Sequence, residues 1–227
     1  MQNEKQNFVT LEKFALELGF SFFGVADITE IQQDFHIESR VASKYPRGIS
    51  LGKKLLDSVL DTIKNEPNAV YFHHYRQINF FLDRGALLLS TFIQEQGFNA
   101  LPIAASQVID WEKQIGHVSH KKIAQLAGLG WIGRNNLLVT KEAGSGLRLV
   151  TILTDMPLEC GAPVPFSCGE CTRCISECPA QAIDADPKNF NHLACFEKLK
   201  EFRKRGLVGQ YICGVCVRAC PGFNRLS

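Results

Sequence analysis

The first 159 of the 227 residues contain no cysteine, and all nine cysteines fall between Cys160 and Cys220. Thiolate chemistry and thiolate-held metal therefore belong to the last third of the chain. A dominant charge is also missing, with 25 Lys and Arg against 23 Asp and Glu. A net charge of +2 provides no long-range attraction for nucleic acid or an anionic membrane, although a local basic patch is compatible with it. No apolar run approaches the ~18 residues a spanning helix needs. Glu4, Lys5, Glu12, Lys13 and Glu17 interrupt the N-terminal stretch where a secretion signal would carry its apolar core. These absences predict a cytoplasmic protein with no membrane segment, in which nine cysteines read as metal ligands rather than disulfides. Repeats and low-complexity tracts are lacking too. Apolar residues make up 45% of the chain, enough for a globular core.

The cysteine-free part reads as mixed α/β. Phe8, Leu11, Ala15 and Leu18 have helical spacing, and Gly19 stops that helix. Residues 20–26 and 47–51 read as strands, 55–63 as a helix, and 71–97 as a long helix with Tyr75, Ile78, Leu82, Ala86 and Leu89 along one face. Residues 100–104 form a short strand and 119–127 a helix, with Ser119 as a plausible N-cap. The strands 136–140 and 147–154, joined by Gly144-Ser145-Gly146, predict a hairpin. The composition shift places a domain boundary after residue 160, next to Gly161, Pro163 and Pro165.

The cysteine spacing carries the chemistry. Cys168, Cys171, Cys174 and Cys178, followed by Pro179, form the C-x2-C-x2-C-x3-C-P run of bacterial ferredoxins, whose fourth cysteine ligates the other cluster. Three thiolates on a tight loop wrap three corners of one cube, and the fourth corner must come from elsewhere. Cys213, Cys216 and Cys220, followed by Pro221, form the partner run, and Cys195 stands alone on a helix expected over 192–204. The spacing predicts two 4Fe–4S clusters, A on Cys168, Cys171, Cys174 and Cys220, and B on Cys178, Cys195, Cys213 and Cys216. Zinc on two C-x2-C pairs is the competing reading, but it leaves the proline-terminated runs unexplained. Cys160 is left over as a free thiol.

Gly128-Leu-Gly130-Trp-Ile-Gly133 matches G-x-G-x-x-G, but a helix precedes it and a strand follows, the reverse of a dinucleotide fold. It reads either as a tight turn or as bare backbone against a flat cofactor. In the second case Gly128, Gly130, Trp131, Ile132, Gly133, Arg134 and Asn135 are the candidate cofactor-binding residues. His73, His74, Tyr75, Arg76 and Asn79 make a polar cluster at the start of the long helix, where Tyr75 is a candidate proton donor. His117 is a second candidate, and either His117 or His120 is a weaker candidate cobalt ligand. The run Lys198, Lys200, Arg203, Lys204, Arg205 reads as a solvated helix face or as a dock for an acidic electron donor.

The segment Leu126-Ala-Gly-Leu-Gly-Trp-Ile-Gly-Arg-Asn-Asn-Leu-Leu-Val139, the strand over 147–155 and the cysteine pattern with Pro179 and Pro221 resemble the epoxyqueuosine reductase family. Leu18-Gly-Phe-Ser-Phe-Phe-Gly-Val-Ala26 is similar as well, and reductive dehalogenases are more distant relatives. The resemblance implies an α+β chain: a nitroreductase-like α/β domain over 1–160 for cofactor and substrate, then a ferredoxin-like domain over 161–227 holding both clusters. It also implies a cobalamin in the first domain. Electrons would come from a low-potential donor of ferredoxin or flavodoxin type and pass through the clusters to cobalt. The acceptor beyond would be a small molecule or a partner protein. A pure electron-transfer module and an epoxyqueuosine (tRNA) reductase are the alternatives. Two departures argue against tRNA. Gln114 stands at the register where the family's tRNA-acting members carry an acidic proton donor, and the chain stops seven residues after Cys220, before the family's helical-repeat region.

Overall fold

A computed structural model describes residues 2–112, 114–220 and 222. Pro221, which ends the second cysteine run, lies outside the described residues. In chain order the elements are α1 (Gln2–Glu17), β1 (Phe22–Asp27), α2 (Ser39–Ala42), β2 (Arg47–Lys54), α3 (Asp57–Leu60), α4 (Ala69–Glu95) and β3 (Ala100–Ile103). They continue with α5 (His120–Leu126), β4 (Trp131–Ile132), β5 (Leu138–Val139), β6 (Leu147–Thr154), α6 (Arg173–Glu177), α7 (His192–Lys204) and α8 (Val215–Arg218). The fold is α+β. It divides into two compact units, the first made of residues 1–54, 79–129 and 148–164 and the second of residues 55–78, 130–147 and 165–227. The last switch, after Val164, falls near the composition break at residue 160, but the second unit also includes two segments from the cysteine-free part.

The first unit is built on one sheet with strand order β1-β2-β6-β3. β1 and β2 run antiparallel, with Phe23 opposite Leu51, and β3 and β6 run antiparallel, with Leu101 opposite Leu153. Both β1 and β2 have nearly continuous buried runs rather than alternation, so both faces of the sheet are covered. α5 covers one face at close range, since a Cβ on Gly48 would lie 3.0 Å from Ile123 and 2.8 Å from Ile28. Ala26, Ile28, Ile103, Ile123 and Leu153 meet there in one core. α1 buries Leu11 and Ala15 and ends at Gly19, whose φ of +93° suits glycine. Phe20 donates its N–H back to Ala15, which is why the strand starts at Phe22 rather than at residue 20.

The spacing of α4 agrees with its sequence. Tyr75, Ile78, Leu82, Ala86 and Leu89 are all buried along one face. The helix expected over 55–63 is a single turn, Asp57–Leu60.

The expected hairpin is not formed. β5 pairs with β4 in a separate two-stranded sheet, whereas β6 lies between β2 and β3. β6 is buried along most of its length and needs a neighbour on each side. A two-residue β5 could not satisfy that ladder. Alternation in the sequence marks a strand but does not name its partner.

Candidate metal centre and flanking residues

Each thiol-bearing segment of the second unit is held by local chemistry. Cys174 lies on α6, Cys195 on α7 and Cys216 on α8. α7 starts where the Asn191 side chain accepts the Ala194 N–H at 3.0 Å. α8 starts at Gly214, whose φ is +84° and whose missing Cβ leaves room for the Tyr71 ring 2.6 Å away. Gly169 at φ +49° turns the first loop so that the Cys171 N–H reaches the Cys168 carbonyl at 3.0 Å.

Cys168, Cys171, Cys174 and Cys220 line one cavity, together with Trp131, Arg134 and Asn135. Burial pushes the Cys174 thiol up to about 11, and the nearby Cys220, Cys168 and Cys171 push the same way. Burial also raises the Cys213 thiol to about 11, opposed by a backbone hydrogen bond from Val215 and reinforced by Cys195 and Cys178. Cys216 is pushed well up by burial first, then by Cys213, Cys195, Cys178 and Cys174. Cys195 is raised by burial and then by Cys178. The thiols thus fall into two groups of mutual neighbours, and Cys216 feels Cys174 across them. Among the described residues, no three His, Cys, Asp or Glu side chains form a group that could hold a single metal ion. Buried neutral thiols become ligands only by losing protons to a bound cation. Cys160 is in the first unit, its Sγ 3.7 Å from the Leu158 carbonyl, and burial raises its thiol.

The glycine segment is divided between the units. Gly128, at φ +80°, belongs to the first, where a Cβ would lie 2.7 Å from the Ala162 carbonyl. Gly130 to Asn135 belong to the second. A Cβ on Gly130 would run into the Val139 carbonyl, and one on Gly133 would lie 2.6 Å from the Val139 side chain and 3.4 Å from Cys168 Sγ. Arg134 donates to the carbonyls of Ala185 at 2.7 Å, Cys171 at 2.8 Å and Gly169 at 2.9 Å. Asn135 is buried and donates to Ser145 Oγ at 2.9 Å. The polar ends of Arg134 and Asn135 are engaged around the thiol cavity.

The remaining candidates separate in the same way. Tyr75 is buried in the second unit, its ring 6.4 Å from that of Tyr71. His74 Nε2 accepts the Leu56 N–H at 3.2 Å. His117, in the first unit, is 3.0 Å from the His36 carbonyl through Nδ1, while the His36 N–H bonds the His117 carbonyl at 2.9 Å. The basic run on α7 is largely paired: Lys198 with Glu201, Lys200 with Glu197, and Arg205 with Glu66, while Arg203 stacks on Tyr211.

Sequence reasoning named His120 and Asn79 separately but missed the polar cluster they join in the first unit. His120 Nε2 is 3.1 Å from the Ala104 carbonyl, which can only accept, so Nε2 carries the proton and Nδ1 accepts from Thr151 Oγ1 at 2.8 Å. Burial lowers the imidazole to about 4, against the Ala104 hydrogen bond, and Arg148 lowers it further. Arg148 bonds Asn79 at 3.2 Å, and Asp83 accepts the Ala105 N–H at 2.8 Å. Burial lowers the next residue, Lys121, to about 8, which leaves an amine able to exchange protons near neutral pH. Burial of this kind has no local signature in the sequence.

No model of a known protein family matches the chain. The fold is that of two classes of solved redox enzyme. An epoxyqueuosine reductase from Streptococcus thermophilus superposes on 96% of the chain with a TM-score of 0.68 and 21% identity, over 66% of its own length. A catabolic reductive dehalogenase, solved with 3-bromo-4-hydroxybenzoic acid, superposes on 96% with a TM-score of 0.76 and 17% identity, over 32% of its length. In sequence the chain resembles the epoxyqueuosine reductases. It is 38% identical to that of Gloeobacter violaceus over 48% of this chain and 37% of the relative. It is 27% identical to that of Cyclobacterium marinum over 96% of this chain and 79% of the relative. Against several of these proteins the chain therefore spans about a third to two thirds of their length. Among the described residues no helix is long and apolar enough to cross a membrane.

Proposed function

We propose that the chain is an iron–sulfur reductase of the epoxyqueuosine reductase kind, with cluster A on Cys168, Cys171, Cys174 and Cys220 and cluster B on Cys178, Cys195, Cys213 and Cys216. The observation that carries the reading is the single cavity lined by Cys168, Cys171, Cys174 and Cys220, with Cys178, Cys195 and Cys213 gathered around Cys216. The donor set fits iron: half-buried and buried thiols with backbone N–H groups aimed at sulfur, as at Cys213 from Val215 and Cys178 from Ala182. Cys174 is near enough to act electrostatically on Cys216, which supports electron exchange between the groups. The clusters supply one-electron transfer, and the protein excludes water and fixes the thiolates.

The substrate reading shifts toward tRNA, against the expectation drawn from Gln114 and chain length. Curated relatives found in separate bacteria are named epoxyqueuosine reductases. One solved epoxyqueuosine reductase carries an epoxyqueuosine-modified tRNA stem loop and superposes on 97% of this chain. Removing an epoxide oxygen as water takes two electrons and two protons; two one-electron centres can pass on the electrons of a reduced donor in sequence, and the protons come from an acidic group or solvent. Cobalamin enters the proposal through a dehalogenase neighbour described as B12-dependent. The side chains of Arg134 and Asn135, bonded to the Cys171 carbonyl and to Ser145, do not fit as its holders.

A second reading, a module that passes electrons to a partner protein, is favoured by one observation. Gln114 is an amide held at φ +54° and cannot serve as a proton-donating acid. Anaerobic purification with iron, sulfide and cobalt measured on one sample tests the cluster reading, which expects eight irons per chain. About four irons, or zinc alone, would overturn it. Complementation of a queuosine-deficient strain tests the substrate. Failure with intact clusters, joined by turnover only when a partner protein is added, would favour the module.

A further inference from the structure

Beside the thiol cavity, the second unit holds two buried polar side chains that the reading above does not use. Asn135 is 4% exposed and Ser145 is 2% exposed. Such groups are costly to bury unless bonded. Asn135 is oriented from both ends. Its Oδ1 accepts the Leu137 N–H at 3.3 Å, which turns the amide nitrogen to donate to Ser145 Oγ at 2.9 Å. Having accepted there, the Ser145 hydroxyl keeps its own hydrogen to give, and the sulfur of Cys220 receives hydrogen bonds from the Ser145 side chain, the Ser145 backbone and the Gly222 backbone. The preceding residue, Arg134, grips the opposite ligands through the carbonyls of Gly169 and Cys171. Gly133 keeps that approach open, since a Cβ there would lie 3.1 Å from Asn135 Oδ1 and 3.4 Å from Cys168 Sγ.

We propose that Arg134, Asn135 and Ser145 form the outer shell of cluster A. Arg134 fixes the Cys168–Cys171 loop, and Asn135 orients the Ser145 hydroxyl onto the Cys220 sulfur, stabilising the reduced cluster. The inference rests on the cluster reading above. Reduction adds negative charge to the sulfurs, and hydrogen bonds to cluster sulfurs are among the factors that set the potential. Arg134, Asn135 and Ser145 are positioning residues that act through Cys168, Cys171 and Cys220.

The test uses the full chain with its clusters, purified anaerobically and titrated redox step by step with EPR detection. Ser145→Ala should lower one of the two cluster potentials by about tenfold in the one-electron equilibrium, which is ~59 mV, and leave the other unmoved. Ser145→Thr, which keeps the hydroxyl, should restore it. Asn135→Ala should move the same cluster in the same direction and add nothing further in the double variant. Arg134→Met should release the irons of one cluster to a chelator faster than those of the other. Unmoved potentials in both Ser145→Ala and Asn135→Ala with eight irons present would overturn the inference alone. So would equal shifts in both clusters, or a Ser145→Thr shift as large as that of Ser145→Ala. If Ser145→Ala lost its irons, Asn135→Ala would carry the same measurement. Wild-type chain lacking eight irons would sink the cluster reading itself.

Discussion

Acidification from pH 7 to pH 5 should weaken the first unit through His120. Its imidazole titrates near 6.5 when unfolded and is lowered to about 4 when folded, chiefly by burial. The folded state binds fewer protons across that interval, so the stabilising difference is complete above about pH 6.5 and is lost as pH falls toward 4. A shift of 2.5 units at ~1.36 kcal/mol each gives about 3 kcal/mol in full, of which about 2 kcal/mol is gone by pH 5. The groups facing the ring oppose a second proton. Nε2 already donates to the Ala104 carbonyl, and the guanidinium of Arg148 opposes a second positive charge. The assay is urea unfolding of wild type and His120→Gln at both pH values. The variant removes the titrating group, so any acid sensitivity of other groups is common to both chains. Wild type should lose about 2 kcal/mol more than the variant between pH 7 and pH 5, a relative midpoint shift of roughly 0.5–1 M. Parallel loss in the two chains, or an NMR titration of the folded His120 ring with its inflection near 6.5, would refute the argument.

Two further perturbations probe packing. Gly130→Ala forces a methyl into the Val139 carbonyl and should separate β4 from β5, whereas Gly97→Ala meets nothing within 4 Å and bears only the strain of φ +86°. Differential scanning calorimetry should show Gly97→Ala costing about 1 kcal/mol and Gly130→Ala several times that, and equal effects would contradict the close approach. Leu153→Ala, at a fully buried position of the central strand, should cost about 2–5 kcal/mol by urea unfolding. A loss below about 1 kcal/mol would mean that β6 is not central.

Much of the local structure was legible because it depends on neighbours in the chain. Period 3.6 along Tyr75, Ile78, Leu82, Ala86 and Leu89 gave α4 its buried face, and Ser119 caps α5. Cysteine spacing determined which thiols can share a short loop, since two intervening residues limit how far apart their sulfurs can stand. The paired charges of α7 were less legible, because Glu66 reaches Arg205 from 139 positions away.

Tertiary structure alone decided that β6 pairs with β2 and β3 and not with β5, because strand pairing follows burial on both faces and not proximity in sequence. It also decided where residues 133–135 turn. In the sequence they read as bare backbone for a flat cofactor; in the structure the side chains of Arg134 and Asn135 also line the cavity that holds Cys168, Cys171 and Cys220. The lowered pKa values of His120 and Lys121 have the same origin. Desolvation is imposed by segments far apart in the chain, and only their packing together excludes the water.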